Sequence, residues 1–453
     1  MIYDLVIRHT QLGEVAVRKG QIVKIGKDLA PGETEIDAAG KWLLPGGVDV
    51  HTHLGLTVGE NTTCDGWERG SQAAVAGGTT TVVEHIGFAA DGSCRTAFQQ
   101  AFLLAEGHSC CDYSLHGVAA RVDEELLAAL PAGVEEGLCS WKAYTTYDHP
   151  IYGEELERLF RAAKAAGAVV CVHCEDDGLL KNALAQLAAA GHLGPEYHAA
   201  SRPDYAEARS IREVLAAAGR AGDAPVHIVH LSTAAGLREI RQARGRGQTN
   251  ISVETCPQYL LLDSSLYQQG RGLALRAAMS PPLRTADDRR ALWQGLQRGD
   301  IDMIATDHCA FSVAQKEQGR EDLRLTPNGA PGVEERLTLL ISEGVGRGLL
   351  TLDRAAELLS EAPARRFGLE HKGRIAAGYD ADLVLFDPVA PSSFPTPPAH
   401  GGADYSLYSD LKLRGRVDKV WLRGELVCDR GRVLARPGQG RCVARYIRKQ
   451  SGR

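Results

Sequence analysis

The run V-D-V-H-T-H at 48–53 sets two histidines two residues apart at the end of a short apolar stretch. On a strand, side chains at i and i+2 share a face, so His51 and His53 aim two imidazoles at one point. Neutral imidazole is the commonest protein ligand for a metal. An H-x-H pair alone is more often a polar strand face, so its meaning depends on how the other strands end. Lys142 lies in L-C-S-W-K-A-Y, His173 in V-V-C-V-H-C-E, His230 in V-H-I-V-H-L-S and Asp307 in I-A-T-D-H-C. Each has a plain account by itself: a satisfied core histidine, a turn cap, a lysine reaching solvent or pairing with an acid. Four histidines, an aspartate and a lysine converging at strand ends instead make a metal centre. Lys142 adds a further option. A lysine on an apolar strand is costly to bury charged, so burial lowers its pKa. The neutral amine can add carbon dioxide and become a carbamate, an anion suited to bridging two divalent metals.

Positioning six such groups requires a scaffold of parallel strands. Short apolar runs fall at 48–53, 80–86, 112–119, 138–144, 168–174, 225–231, 251–256 and 301–307. Ala- and Leu-rich helical stretches separate most of them, as at 154–167 and 206–219. Alternating strands and helices imply a parallel sheet, and eight strands suggest a closed α/β barrel of the (β/α)₈ type. Such barrels place their chemistry at the C-terminal ends of the strands. A doubly wound open sheet is the alternative, but no Gly-rich phosphate loop follows the first strand. Residues 1–44 alternate apolar with polar and are punctuated by Gly, as half-buried antiparallel strands are. The pattern returns in D-L-V-L-F-D at 382–387 and V-D-K-V-W-L-R-G at 417–424. The expected organisation is therefore a barrel over 45–370 and one small β-sandwich built from 1–44 and 371–453. The Pro-rich stretch 388–403 reads as an extended surface excursion, since Pro continues neither a helix nor a central strand. The tail with Arg441, Arg445, Arg448, Lys449 and Arg453 reads as a solvated, partly frayed end.

Composition narrows the classes. The 453 residues are 44% hydrophobic and 24% charged, which is ordinary for a globular enzyme. A net charge of −6 argues against a nucleic-acid partner. No apolar run is long enough to span a membrane, and the N-terminus lacks the order of a signal peptide. Eleven scattered cysteines then read as reduced thiols in a cytoplasmic protein. Cys171 and Cys174 form a C-x-x-C on an apolar strand with no second pair, which fits core packing.

The chain resembles the cyclic amidohydrolases of the hydantoinase and dihydropyrimidinase group, and their D-phenylhydantoinase branch in particular. The likeness covers nearly the whole length. It is carried by P-G-G-V-D-V-H-T-H at 45–53, D-Y-S-L-H-G-V at 112–118 and V-E-T-C-P-Q-Y-L-L-L-D at 253–263. A-T-D-H-C-A-F-S at 305–312 and P-N-G-A-P-G-V-E-E-R at 327–336 add to it. G-x-I-A-x-G-x-D-A-D-L-V at 373–384 is shared more widely among amidohydrolases.

The resemblance implies two zinc ions bridged by a carboxylated Lys142 and by a hydroxide. One metal would be held by His51, His53 and Asp307, the other by His173 and His230. Asp307 would shuttle a proton from the attacking water to the leaving nitrogen. Tyr147, five residues after Lys142, matches the spacing of the family's transition-state tyrosine, with Tyr144 as second choice. Ser280 in M-S-P-P-L-R and Asn328 in P-N-G match positions whose backbone holds the cyclic ureide. In the loop after the first barrel strand, Leu56, Val58 and Trp67 either cover a substituent on the ring or pack the loop down. The implied reaction opens 5-substituted hydantoins to N-carbamoyl amino acids. Dihydropyrimidinase and allantoinase are the alternatives. Dihydroorotases carry an Arg two residues past the second His; Gly55 stands there, which disfavours a carboxylated ring. A non-catalytic scaffold would be expected to lose metal ligands, and none of the six is missing. Homotetramers are expected from the family alone.

Overall fold

The structure, a computed structural model, describes residues 2–447. Eight strands form one parallel sheet: Gly47–Thr52, Thr79–His85, Asp112–Val118, Ser140–Tyr144, Val169–His173, Val226–Ile228, Ile251–Thr255 and Met303–Ile304. They are numbered here as barrel strands 1 to 8, and each pairs with the next in sequence order. The His53 N–H donates to the His308 carbonyl at 2.8 Å, and Thr52 bridges His308, so the end of strand 8 returns to strand 1. Helices such as Gly153–Ala166, Asp204–Arg220 and Ala286–Arg298 lie outside. Their apolar faces and the outward strand residues share the large core. The inward residues Val48, Val50, Val83, Val169, Cys171, Val229, Met303 and Ala305 form a second core, capped by Phe367. Cys171 and Cys174 fall in different cores, and both thiols are free and buried.

Two strands stop short of their apolar runs. The eighth ends at Ile304 rather than reaching 307, and the sixth ends at Ile228 rather than 231. The reason lies just beyond each ladder: His230 has φ 39° and Asp307 φ 53°. A left-handed backbone cannot continue a pleat, and it turns the side chain toward the barrel mouth.

The termini build two facing sheets. One has strands Gln21–Gly26, Gly13–Arg18, Tyr3–Thr10 and Gly32–Asp37 in that spatial order, the last pair parallel rather than antiparallel. The other has Arg432–Val433, Glu425–Asp429, Leu413–Leu422, Leu383–Ser392 and, from the N-terminal side, Trp42–Pro45. Leu5, Ile7, Val15 and Val17 pack against Leu383, Leu385 and Trp421 between them. A buried Lys372 ties this unit to the barrel, its Nζ lying 2.6 Å from Asp112, 2.7 Å from Asp382 and 2.9 Å from Asp380.

The Pro-rich stretch departs from expectation at its start. The strand runs on through Pro388 and Pro391 to Ser392, because beyond Phe386 it has a neighbour on one side only. An edge with an irregular register tolerates Pro. From 393 to 402 the stretch is exposed or half-buried, as a surface excursion is. The C-terminal tail is not frayed through Arg445. That guanidinium is fully buried, donating to Ser114 Oγ at 2.8 Å, to Ser140 Oγ at 2.7 Å and to the Leu115 carbonyl. Arg448, Lys449 and Arg453 lie outside the described residues.

Candidate metal centre

The mouth of the barrel gathers all six expected ligands. His51 comes from strand 1, Lys142 from strand 4 and His173 from strand 5; His53, His230 and Asp307 lie just past strands 1, 6 and 8. Asp307 Oδ1 lies 3.1 Å from His51 Nε2 and 3.2 Å from His53 Nε2. Lys142 Nζ is 3.4 Å from His51 Nε2. His173 Nδ1 and His230 Nε2 face one another at 2.9 Å. The His51 and His230 ring centres are 5.4 Å apart, so both histidine groups line one cavity.

The outward ring nitrogens explain why these inward ones are lone pairs. His51 Nδ1 is held by the Glu254 carboxylate, His53 Nδ1 by the His85 carbonyl at 3.1 Å and His173 Nε2 by Glu175 at 2.9 Å. A carboxylate or carbonyl on the far nitrogen fixes the tautomer and leaves the near nitrogen free to bind a cation. Glu254 also accepts from His227 Nε2 at 3.0 Å and from the His230 N–H at 3.3 Å. The donor set of imidazoles and a carboxylate suits zinc or a similar divalent ion. Burial depresses the Lys142 ammonium, although Asp307 and Glu254 favour it. Burial also works against the Asp307 carboxylate, but His51, His53 and His230 outweigh it and hold that group well below the usual range. Burial thus favours the neutral amine at Lys142, and the histidines favour the ionised acid at Asp307.

Tyr147 stands beside the centre with φ 72°, in the short segment after strand 4. Its ring centre is 5.0 Å from that of His173, and Arg202 Nη2 donates to its phenol oxygen at 3.3 Å. Tyr144 lies on the strand itself, 5.8 Å from Tyr147 between ring centres, with Lys142 Nζ 5.2 Å from its own. Three residues of one site with positive φ are a concentration of backbone strain, each costing on the order of 1–3 kcal/mol. Ser280 and Asn328 flank the same mouth on two loops joined by the Gly329 N–H donating to the Ala278 carbonyl at 3.1 Å. Ser280 Oγ and Asn328 Oδ1 are buried without a hydrogen-bond partner among the described residues. Leu56 is half-buried against Gly87, and Val58 is exposed on the hairpin Thr57–Val58 and Asn61–Thr62. Trp67 is buried against Tyr113, their ring centres 5.2 Å apart, so it packs the loop down and covers nothing in the cavity.

Sequence reasoning passed over Glu254, Glu175, Arg202 and His85. Glu254 and His85 end barrel strands 7 and 2, and Glu175 follows His173 by two, the same strand-end signal that marked the ligands. His85 is buried, its two ring nitrogens have no partner among the described residues, and its ring stacks on His116 at 4.0 Å.

Residues 42–427 match the model of the amidohydrolase family. The chain is 40% identical over 438 residues to a D-phenylhydantoinase of Escherichia coli O1:K1 / APEC, covering 95% of this chain and 94% of that one. The chain belongs to the amidohydrolases, in their hydantoinase and dihydropyrimidinase group. This amidohydrolase has close structural relatives too. A D-hydantoinase (dihydropyrimidinase) from Thermus sp. superposes with a TM-score of 0.94 at 33% identity, covering 98% of this chain and 99% of that one. An L-hydantoinase (dihydropyrimidinase) from Arthrobacter aurescens gives 0.89 at 27% identity, covering 98% and 100%.

Proposed function

We propose that this amidohydrolase opens cyclic ureides, 5-substituted hydantoins foremost, to N-carbamoyl amino acids, using two zinc ions that a carboxylated Lys142 would help to hold. The observation that carries the reading is the convergence of six side chains at one mouth, with the outward nitrogens of His51, His53 and His173 already engaged. His51, His53 and Asp307 would hold one ion, His173 and His230 the other. Bound metal supplies Lewis acidity and lowers the pKa of water to near neutrality. Burial favours the neutral form of Lys142, which would attack carbon dioxide; the N–C bond forms, one N–H proton is released, and the carbamate anion remains.

The other residues act on the ring. Asp307 accepts the proton of the attacking water and returns one to the leaving nitrogen. The Tyr147 phenol, its pKa raised so that it stays protonated, donates to the developing oxyanion. The Arg202 donor on its oxygen leaves the phenol proton free to point at the ring. Backbone groups at Ser280 and Asn328 hold the ureide, and Leu56 offers an apolar wall to the 5-substituent.

A dihydropyrimidinase reading is the alternative that the Thermus sp. relative favours. Eleven free thiols support a reducing, cytoplasmic setting, and among the described residues no helix is long and apolar enough to cross a membrane. A homotetramer is carried over from the family. The deciding experiment is side-by-side turnover of 5-phenylhydantoin, dihydrouracil and allantoin by enzyme of known metal content. Fastest turnover of the hydantoin supports the proposal; fastest turnover of dihydrouracil or allantoin replaces it with the corresponding alternative. No turnover, together with no bound metal, would favour a scaffold.

A further inference from the structure

Lys316 is fully buried, and among the described residues no carboxylate faces it. Its ammonium instead donates to three backbone carbonyls: Ala278 at 2.7 Å, Pro327 at 2.7 Å and Gly329 at 2.6 Å. An ammonium has three N–H bonds, and all three are used. A buried cation is costly unless fully solvated by the protein, so these three oxygens must stay where they are. They belong to the two loops that present Ser280 and Asn328, whose side-chain oxygens have no partner.

The lysine is itself held firmly. It ends the short helix Val313–Lys316, nine residues after Asp307, and a capping box between Ser312 and Gln315 fixes that helix. Gln315 Nε2 donates to the Thr62 carbonyl at 2.8 Å, tying the helix to the loop after strand 1. Gly329 leaves no slack: its φ is 151°, and a Cβ there would meet the Cys309 carbonyl oxygen at 2.4 Å.

We propose that Lys316 is a positioning residue for the cyclic substrate, clamping the Ser280 and Asn328 loops onto the segment that carries Asp307. The proposal rests on the ring-holding roles given to Ser280 and Asn328 above. Lys316 touches neither metal ligands nor substrate. It fixes the distance between the ring-binding backbone and the proton-transferring acid, so its loss shows first in substrate affinity.

The test uses Lys316→Met, which keeps length and loses all donors, and Lys316→Gln, which keeps two. Both are made in the zinc-loaded full chain and assayed on whichever of 5-phenylhydantoin and dihydrouracil the wild type hydrolyses. The expected result is bound zinc at the wild-type level with KM raised at least tenfold in Lys316→Met and less in Lys316→Gln. Ethylammonium added to Lys316→Ala should bring KM back toward wild type. An unchanged KM in soluble, loaded variants overturns the proposal. So does a joint fall of zinc content and kcat at constant KM, which would make Lys316 a support of the fold alone. A wild type that hydrolyses no cyclic ureide rejects the proposed function itself, and this assignment with it.

Discussion

At the residue scale, the chemistry depends on two kinds of contact, those facing the cavity and those behind it. Lys142→Ala removes the side chain proposed to carry the carbamate, so metal and activity should be lost together. Metal analysis beside a turnover assay checks this, and wild-type turnover without an added small carboxylic acid would exclude the carbamate. Glu254→Gln leaves every ligand in place but weakens the acceptor behind His51 and His227. Metal affinity should fall roughly 10–100-fold, measured by competition with a chromogenic chelator. Tyr147→Phe should lower kcat by about 10²-fold, in line with the roughly 3 kcal/mol that one oxyanion donor supplies, with bound metal unchanged. The ligands were legible because metal chemistry admits few residue types and strand ends recur at readable intervals. Glu254 carries the same strand-end signal, but its place behind His51, 203 residues away, shows only once the barrel closes.

At the scale of elements, the barrel strands could be read from apolar runs, since a strand buried on both faces has no polar alternation to obscure it. Reading failed where tertiary context reversed a local signal. Arg445 looks like part of a solvated basic tail, yet its donors are consumed by Ser114, Ser140 and a strand carbonyl beneath the barrel. Pro388 and Pro391 look like strand breakers, yet they sit where the sheet has one neighbour. The Lys372 cluster joins elements that no local pattern connects. Lys372→Met should cost roughly 3–5 kcal/mol, because it leaves Asp382 buried without its cation, while Asp112 keeps Arg423. Denaturant unfolding of the purified variant measures this; a change under about 1 kcal/mol would show that the acids are neutralised by other means.

At the scale of the whole molecule, one face of a barrel does the chemistry while the sandwich and the tail hold the rest of it still. Ligands from five strands meet only if the sheet closes, so the centre reports the integrity of the entire fold. Binding of metal to the folded state alone also stabilises it by mass action. Removing the ions should therefore lower the thermal midpoint as well as abolish turnover. The most direct test is hydrolysis of 5-phenylhydantoin before chelation, after chelation to verified metal-free protein, and after zinc is returned. The account predicts release of the N-carbamoyl amino acid, its loss in the stripped protein and its recovery with zinc. Undiminished hydrolysis by protein shown to contain no metal would contradict it.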